Sequence, residues 1–117
     1  MTPDNIMNGM QEKNRLLTAK TDEYIILSER AAQANRDYNT ALAKKMLELR
    51  IDSQPTTLIP VLAKGDKAVS ELKYQLDVAE GIVNACRESI KDIRSAIDSY
   101  RSILTWKRAE YERAGTT

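Results

Sequence analysis

The segment 53-SQPTTLIPVLAKGD-66 separates two long stretches of helical sequence and decides how they can be arranged. Pro55 disfavours helical backbone angles in the residue before it, so a first helix should end near Asp52. Gly65 then interrupts the pattern, and Asp66 offers a carboxylate cap for a second helix that begins directly after it. Two helices of similar length joined by such a connector predict a long antiparallel hairpin.

The composition supports an all-α fold. Hydrophobic residues make up 42% and charged residues 30% of the chain, and only 5% are aromatic. The 117 residues are enough for one core but not for two, which predicts a single domain over residues 1–117. Within it we predict a helix over 3–52, a connector with a short helical turn over 53–66, and a helix over 67–114. Thr2 supplies a capping hydroxyl for the first helix.

The second helix carries a coiled-coil repeat, because its apolar residues are separated alternately by three and four residues. We call these positions the seam, and only Lys107 breaks its apolar character; they are Val69, Leu72, Leu76, Ala79, Val83, Cys86, Ile90, Ile93, Ile97, Tyr100, Leu104, Lys107 and Tyr111. Apolar residues also recur at a neighbouring heptad position, at Ala68, Ile82, Ala96 and Ile103. One partner helix cannot cover so wide a stripe. The pattern therefore predicts that hairpins self-associate, as a dimer or tetramer, to complete a helical bundle.

The connector is unusually apolar, and two roles explain this. Leu58, Ile59, Val61 and Leu62, with Pro60 near the start, predict a short helical turn. Packed across the end of the hairpin, this turn would be a lid on the core. Left exposed, it would dock a partner, with Leu58 and Ile59 as contacts. Apolar residues in ordered loops are more often buried, which favours the lid.

Four arginines of the second helix follow one another at intervals of seven residues. They form what we call the arginine column: Arg87, Arg94, Arg101 and Arg108. Such a column could follow a phosphate backbone, with Tyr100, Trp106 or Tyr111 available for base stacking. Alternatively, the arginines pair with acids of the facing helix, for which the candidates are Glu12, Asp22, Glu23, Glu29 and Asp37. The net charge of only +1 favours this second, structural interpretation.

A separate candidate for binding lies near the end of the second helix. Trp106 is the only tryptophan and stands off the seam, where it either covers the open end of the hairpin or anchors a partner. Together with Tyr100, Ile103 and Tyr111 it forms the predicted partner-binding surface.

No pattern predicts catalysis or a cofactor. The chain has no histidine, so the usual zinc and di-iron ligand sets cannot be formed. Acidic residues spaced to share a helix face could hold magnesium, but such spacings are common on solvated helices; they are Asp77 with Glu80 and Glu88 with Asp92. Cys86 falls on the seam, where a cysteine behaves as a small buried hydrophobe. We expect a non-enzymatic protein without cofactors.

The sequence also predicts a cytoplasmic location. Cys86 is the only cysteine, so no intramolecular disulfide can form. No basic segment followed by an apolar run opens the sequence, and no stretch of roughly 18 uninterrupted apolar residues occurs. We therefore expect no membrane partner.

Three motifs within residues 53–112 resemble those of small α-helical proteins of tailed phages and prophages, often encoded among early or recombination genes. They are Pro55-Thr56-Thr57-Leu58-Ile59-Pro60, Leu62-Ala63-Lys64-Gly65-Asp66 and Ser102-Ile103-Leu104-Thr105-Trp106. The resemblance covers about half of the chain and implies a phage origin, a location in the host cytoplasm and a setting near DNA metabolism or host takeover. It carries over no catalytic residue.

Two functions follow as predictions. The first is a self-associating protein that binds a phage or host protein as an adaptor, inhibitor or regulator. The alternative is a nucleic-acid-binding accessory protein in phage recombination or replication, which would use the arginine column.

Overall fold

Three α-helices make up the protein in a computed structural model, which describes residues 2–115. They are α1 over Pro3–Ile51, α2 over Ile59–Gly65 and α3 over Lys67–Gly115. No strand occurs in the described part of the chain, and the predicted all-α class is confirmed. The short helical turn predicted for the connector is α2.

Side-chain caps begin both long helices. The Thr2 hydroxyl oxygen accepts a hydrogen bond from the backbone N–H of Asn5 at 3.2 Å. A carboxylate oxygen of Asp66 accepts bonds from the backbone N–H groups of Ala68 and Val69, at 3.1 and 3.2 Å. Both caps satisfy N–H groups that have no partner within the first helical turn.

The end of α1 is closed by backbone hydrogen bonds around a left-handed residue. Ser53 has a φ of 62°. Its N–H donates to the carbonyl of Arg50, and the N–H of Gln54 donates to the carbonyl of Leu49, both at 3.1 Å. This is the Schellman arrangement, in which glycine is the usual left-handed residue.

Contacts divide the chain, predicted as one domain, into two compact units. The terminal unit comprises the chain up to Tyr24 and from Ala85 onward, and the connector unit comprises Ile25–Asn84. In the terminal unit Gly9 lies against Tyr100 and Tyr24 against Arg87, so α1 and α3 run antiparallel. In the connector unit the two helices are joined by the reversal at α2. The predicted helical hairpin is confirmed.

Seam residues supply most of the buried side chains. In the terminal unit the buried residues are Ile6, Cys86, Ile90, Ile93 and Ile97. In the connector unit they are Ile59, Ala63, Val69, Leu76 and Val83. The last seam position, Tyr111, is exposed, so the coiled-coil pattern identifies the core of α3 up to its C-terminal turns.

Candidate interaction faces

In each unit a basic residue of α3 lies beside a tyrosine of α1. In the terminal unit the Arg87 guanidinium donates to the Tyr24 hydroxyl at 3.2 Å and lies 5.8 Å from the centre of its ring. In the connector unit Lys73 Nζ lies 5.4 Å from the centre of the Tyr38 ring. Because α1 and α3 are antiparallel, the next heptad beyond Arg87 places Arg94 level with Leu17. Leu17 offers neither a negative charge nor an aromatic ring.

Three members of the arginine column, Arg94, Arg101 and Arg108, form no ion pair with α1 within residues 2–115. Arg101 pairs with Asp98 of its own helix, at 3.5 Å, and both side chains are exposed. Arg94 and Arg108 take part in no ion pair among the described residues. The predicted pairing with acids of the facing helix is therefore not formed by Arg94, Arg101 or Arg108 among the described residues.

The five acids proposed as partners lie on other sides of α1. They are Glu12, Asp22, Glu23, Glu29 and Asp37. None occupies the heptad position of Tyr24 and Leu17, which is the position that meets the arginine column. Instead, Glu12 pairs with Arg15 and Glu23 with Lys20, each at 3.1 Å along α1.

The predicted partner-binding surface at the end of α3 separates into distinct grooves in the terminal unit. Tyr100 is half-buried against Gly9, and its ring and Ile103 line one groove. Trp106 lines a second groove and Tyr111 a third. Of the four residues, Tyr100 and Ile103 therefore share one groove, whereas Trp106 and Tyr111 each line another.

The groove at Trp106 brings an aromatic ring next to the arginine column. It is an open groove of about 490 Å³, lined by Arg101, Ser102, Thr105, Trp106 and Ala109. The Trp106 side chain is 56% exposed. Lys107 Nζ lies 5.4 Å from the centre of the indole ring. A ring this accessible beside two cationic groups can stack on a planar ligand that carries negative charge.

In the connector unit, one side of α2 covers the core and the other side is exposed. Ile59 is only 6% exposed and Ala63 is fully buried, so this side of α2 covers the core as predicted. Leu58, Val61 and Leu62 are exposed, contrary to the lid prediction. A helix can bury only one side against a single neighbour, and here Ile59 and Ala63 occupy that side. Leu58 is thus accessible to a partner, whereas the predicted contact Ile59 is not.

Beside α2, the last turns of α1 expose further apolar side chains that sequence reasoning missed. Leu47 is exposed and Ile51 is 73% exposed. A groove of about 500 Å³ runs between α1 and the connector; its lining residues are Ala43, Met46, Leu47, Arg50, Thr56, Ile59 and Pro60. Of the exposed large apolar residues here, only Leu47 lines the groove. We name the exposed large apolar residues at the end of α1 and in the connector the connector surface: Leu47, Ile51, Leu58, Val61 and Leu62. Leu47 and Ile51 are large apolar residues four positions apart in the sequence, and they fall outside the packing side of α1. This spacing is the signal from which the two exposed residues could have been found.

The residues considered above for catalysis or metal binding make other contacts in the structure. Cys86 is buried, and its thiol donates to the Lys20 carbonyl at 3.6 Å. Asp77 accepts a hydrogen bond from Lys73, and this bond raises the pKa of that lysine. Among residues 2–115, no three His, Cys, Asp or Glu side chains are grouped to hold a metal ion. Nor does this part of the chain contain a helix long and apolar enough to cross a membrane.

Comparisons of the chain with protein-family models, with curated proteins and with solved structures give no match. The resemblance to phage proteins therefore stays a prediction.

Proposed function

We propose that the protein is a non-enzymatic helical binding protein that self-associates and acts by binding another protein. The observation that carries this proposal is the connector surface. Val61 and Ile51 are 69% and 73% exposed, and Leu47, Leu58 and Leu62 lie exposed on the same two helices. Several large exposed apolar side chains at one end of a helical protein are typical of a protein interface, and Leu47 also lines an open groove.

Self-association is supported by a second set of exposed residues. In the connector unit, Val78 and Ile82 of α3 lie beside the buried seam and are themselves exposed. Packing against another hairpin, as a dimer or tetramer, would remove this apolar surface from water.

A protein partner is supported by the groove of the connector surface. Its lining is mostly apolar, which suits an apolar side of a partner helix, and the lining residue Arg50 offers a charge to orient that partner. The resemblance of residues 53–112 to phage proteins supports a phage or host protein in the cytoplasm. The protein would then act as an adaptor, inhibitor or regulator of that partner.

The proposal is tested by light scattering over a wide concentration range, combined with affinity capture from a lysate and mass identification. We expect a dimer or tetramer that captures a defined protein. The double variant Leu47→Glu, Val61→Glu should lose the captured protein. Tyr74→Glu is the matched control, because Tyr74 is nearly as exposed as Val61 in the same unit but lies on α3, outside the connector surface. A monomer at every concentration that captures no protein would overturn the proposal.

A further inference from the structure

We infer that the terminal unit has a second binding face, which takes a single-stranded nucleic acid. The strand's phosphates would contact Arg94, Arg101 and Arg108, and one of its bases would stack on Trp106. This function is independent of the protein-binding role proposed for the connector surface.

The three arginines are exposed and arranged in a line. They recur every seven residues along α3, which corresponds to about 10 Å between successive guanidinium groups. Register places Arg94 level with Leu17 rather than with an acid, and no ion pair to α1 neutralises them within residues 2–115. A row of available positive charges along one helix fits a linear polyanion better than a small ligand.

Few acids lie beside this row. Asp98 and Glu112 occupy the neighbouring heptad position of α3, which also holds the basic Lys91. Asp98 pairs with Arg101 at 3.5 Å, with both side chains exposed. Exposed ion pairs contribute little, so a phosphate can replace Asp98 as the partner of Arg101. The face therefore stays positive although the whole chain is nearly neutral.

Trp106 favours a single strand over a duplex. Its indole ring and Arg101 line the same open groove, together with the hydroxyl-bearing residues Ser102 and Thr105. Every base has a planar face that can stack on such a ring, but in a duplex those faces are already stacked on each other. An aromatic ring beside a row of arginines is the combination by which proteins hold single strands without regard to sequence.

The test uses the full chain and a single-stranded oligothymidylate of about 20 nucleotides. Because Trp106 is the only tryptophan, its fluorescence reports stacking directly, and the anisotropy of a labelled strand reports binding. We expect quenching on binding. Three phosphate contacts should weaken affinity about 20-fold between about 50 and about 200 mM salt.

Two variants separate the roles. The triple variant Arg94→Gln, Arg101→Gln, Arg108→Gln should weaken binding and lose most of its salt dependence. Trp106→Leu should weaken binding by about 5- to 150-fold and keep the salt dependence, since it removes stacking alone. The matched control removes the same charge from exposed positions of the connector unit: Arg30→Gln, Arg36→Gln, Lys44→Gln. It should bind like the unaltered protein.

Several results would overturn the inference. Binding without tryptophan quenching would remove Trp106 from the site. Tighter binding to a duplex of the same length would reassign the face to double-stranded nucleic acid. Equal weakening in the two triple variants would show that net charge alone drives binding, and tighter binding to polyglutamate than to the oligonucleotide would point to an acidic protein. Circular dichroism of each variant confirms that loss of binding is not loss of fold.

Discussion

Tyr100 lies directly against Gly9 in the terminal unit, in space that only a glycine leaves open. A Cβ atom at Gly9 would be 2.8 Å from Cζ and 2.9 Å from the hydroxyl oxygen of Tyr100, closer than real Cβ atoms approach other atoms. Glycine within a helix costs about 1 kcal/mol relative to alanine. At this position the cost is offset because the missing side chain lets an aromatic residue of α3 pack against α1.

Replacing this glycine should therefore destabilise the protein. Gly9→Ala gains helix propensity but forces the Tyr100 ring to move, and overpacking of this kind costs about 1–3 kcal/mol. We expect a net loss of about 1 kcal/mol in the free energy of unfolding, measured by denaturant titration with circular dichroism. Gly81→Ala is the control, since a Cβ at Gly81 meets nothing within 4 Å; it should stabilise the protein by about 1 kcal/mol. A stabilised Gly9→Ala variant would contradict this account.

The buried side of α3 could be predicted from the sequence because the apolar heptad pattern lies entirely within one helix. Alternating intervals of three and four residues from Val69 to Ile97 define one side of a helix, and that side is buried in each unit. The caps at Thr2 and Asp66 were predictable for the same reason, since capping depends on neighbouring residues only.

Features that depend on two elements at once were not predictable. Arg87 donates to Tyr24, which the sequence did not suggest as its partner, because the register between α1 and α3 decides which heptad positions meet. In the connector, composition alone could not show which of the four apolar residues are buried. Packing of α2 against the core buries Ile59 and leaves Leu58 exposed. The close approach of Tyr100 to Gly9 likewise depends on how α3 packs against α1, which neither helix shows alone.

Ser53 carries backbone strain that glycine would relieve. Its φ of 62° is in the left-handed region, which side chains with a Cβ adopt at a cost of about 1–2 kcal/mol. Ser53→Gly should raise the free energy of unfolding by about 0.5–1 kcal/mol. In the control Ser70→Gly, the same replacement falls within α3 and should lower it by about 0.5 kcal/mol. Changes of the same sign in both denaturant titrations would exclude this explanation.

Asp66 should make stability sensitive to acid. The hydrogen bond from the Val69 N–H, together with Lys45 at 3.5 Å, lowers the pKa of Asp66 below its ordinary value of 3.8. A depressed folded-state pKa adds stability that is fully present above the unfolded value and is lost as pH falls through the folded value.

The unaltered protein should therefore lose stability below about pH 4 more steeply than Asp66→Asn, which keeps a capping oxygen but cannot titrate. The measurement is the urea midpoint as a function of pH. Asp52→Asn, at an exposed aspartate on the other side of the connector, serves as the control and should follow the unaltered protein in this range. Parallel pH profiles for Asp66→Asn and the unaltered protein would mean that the cap contributes nothing through its charge.

Asp98 should weaken the affinity of the terminal unit for a single strand at the binding face that we infer, so replacing Asp98 should strengthen binding. The carboxylate occupies Arg101 at 3.5 Å and adds a negative charge beside the arginine column. Asp98→Asn frees Arg101 from an exposed ion pair of at most about 1 kcal/mol and should tighten oligothymidylate binding by up to about fivefold at low salt. Asp92→Asn removes an equal charge from an exposed position on another side of α3 and should change affinity much less. Equal tightening by Asp98→Asn and Asp92→Asn, measured by Trp106 fluorescence, would show that Asp98 does not weaken binding through its ion pair with Arg101.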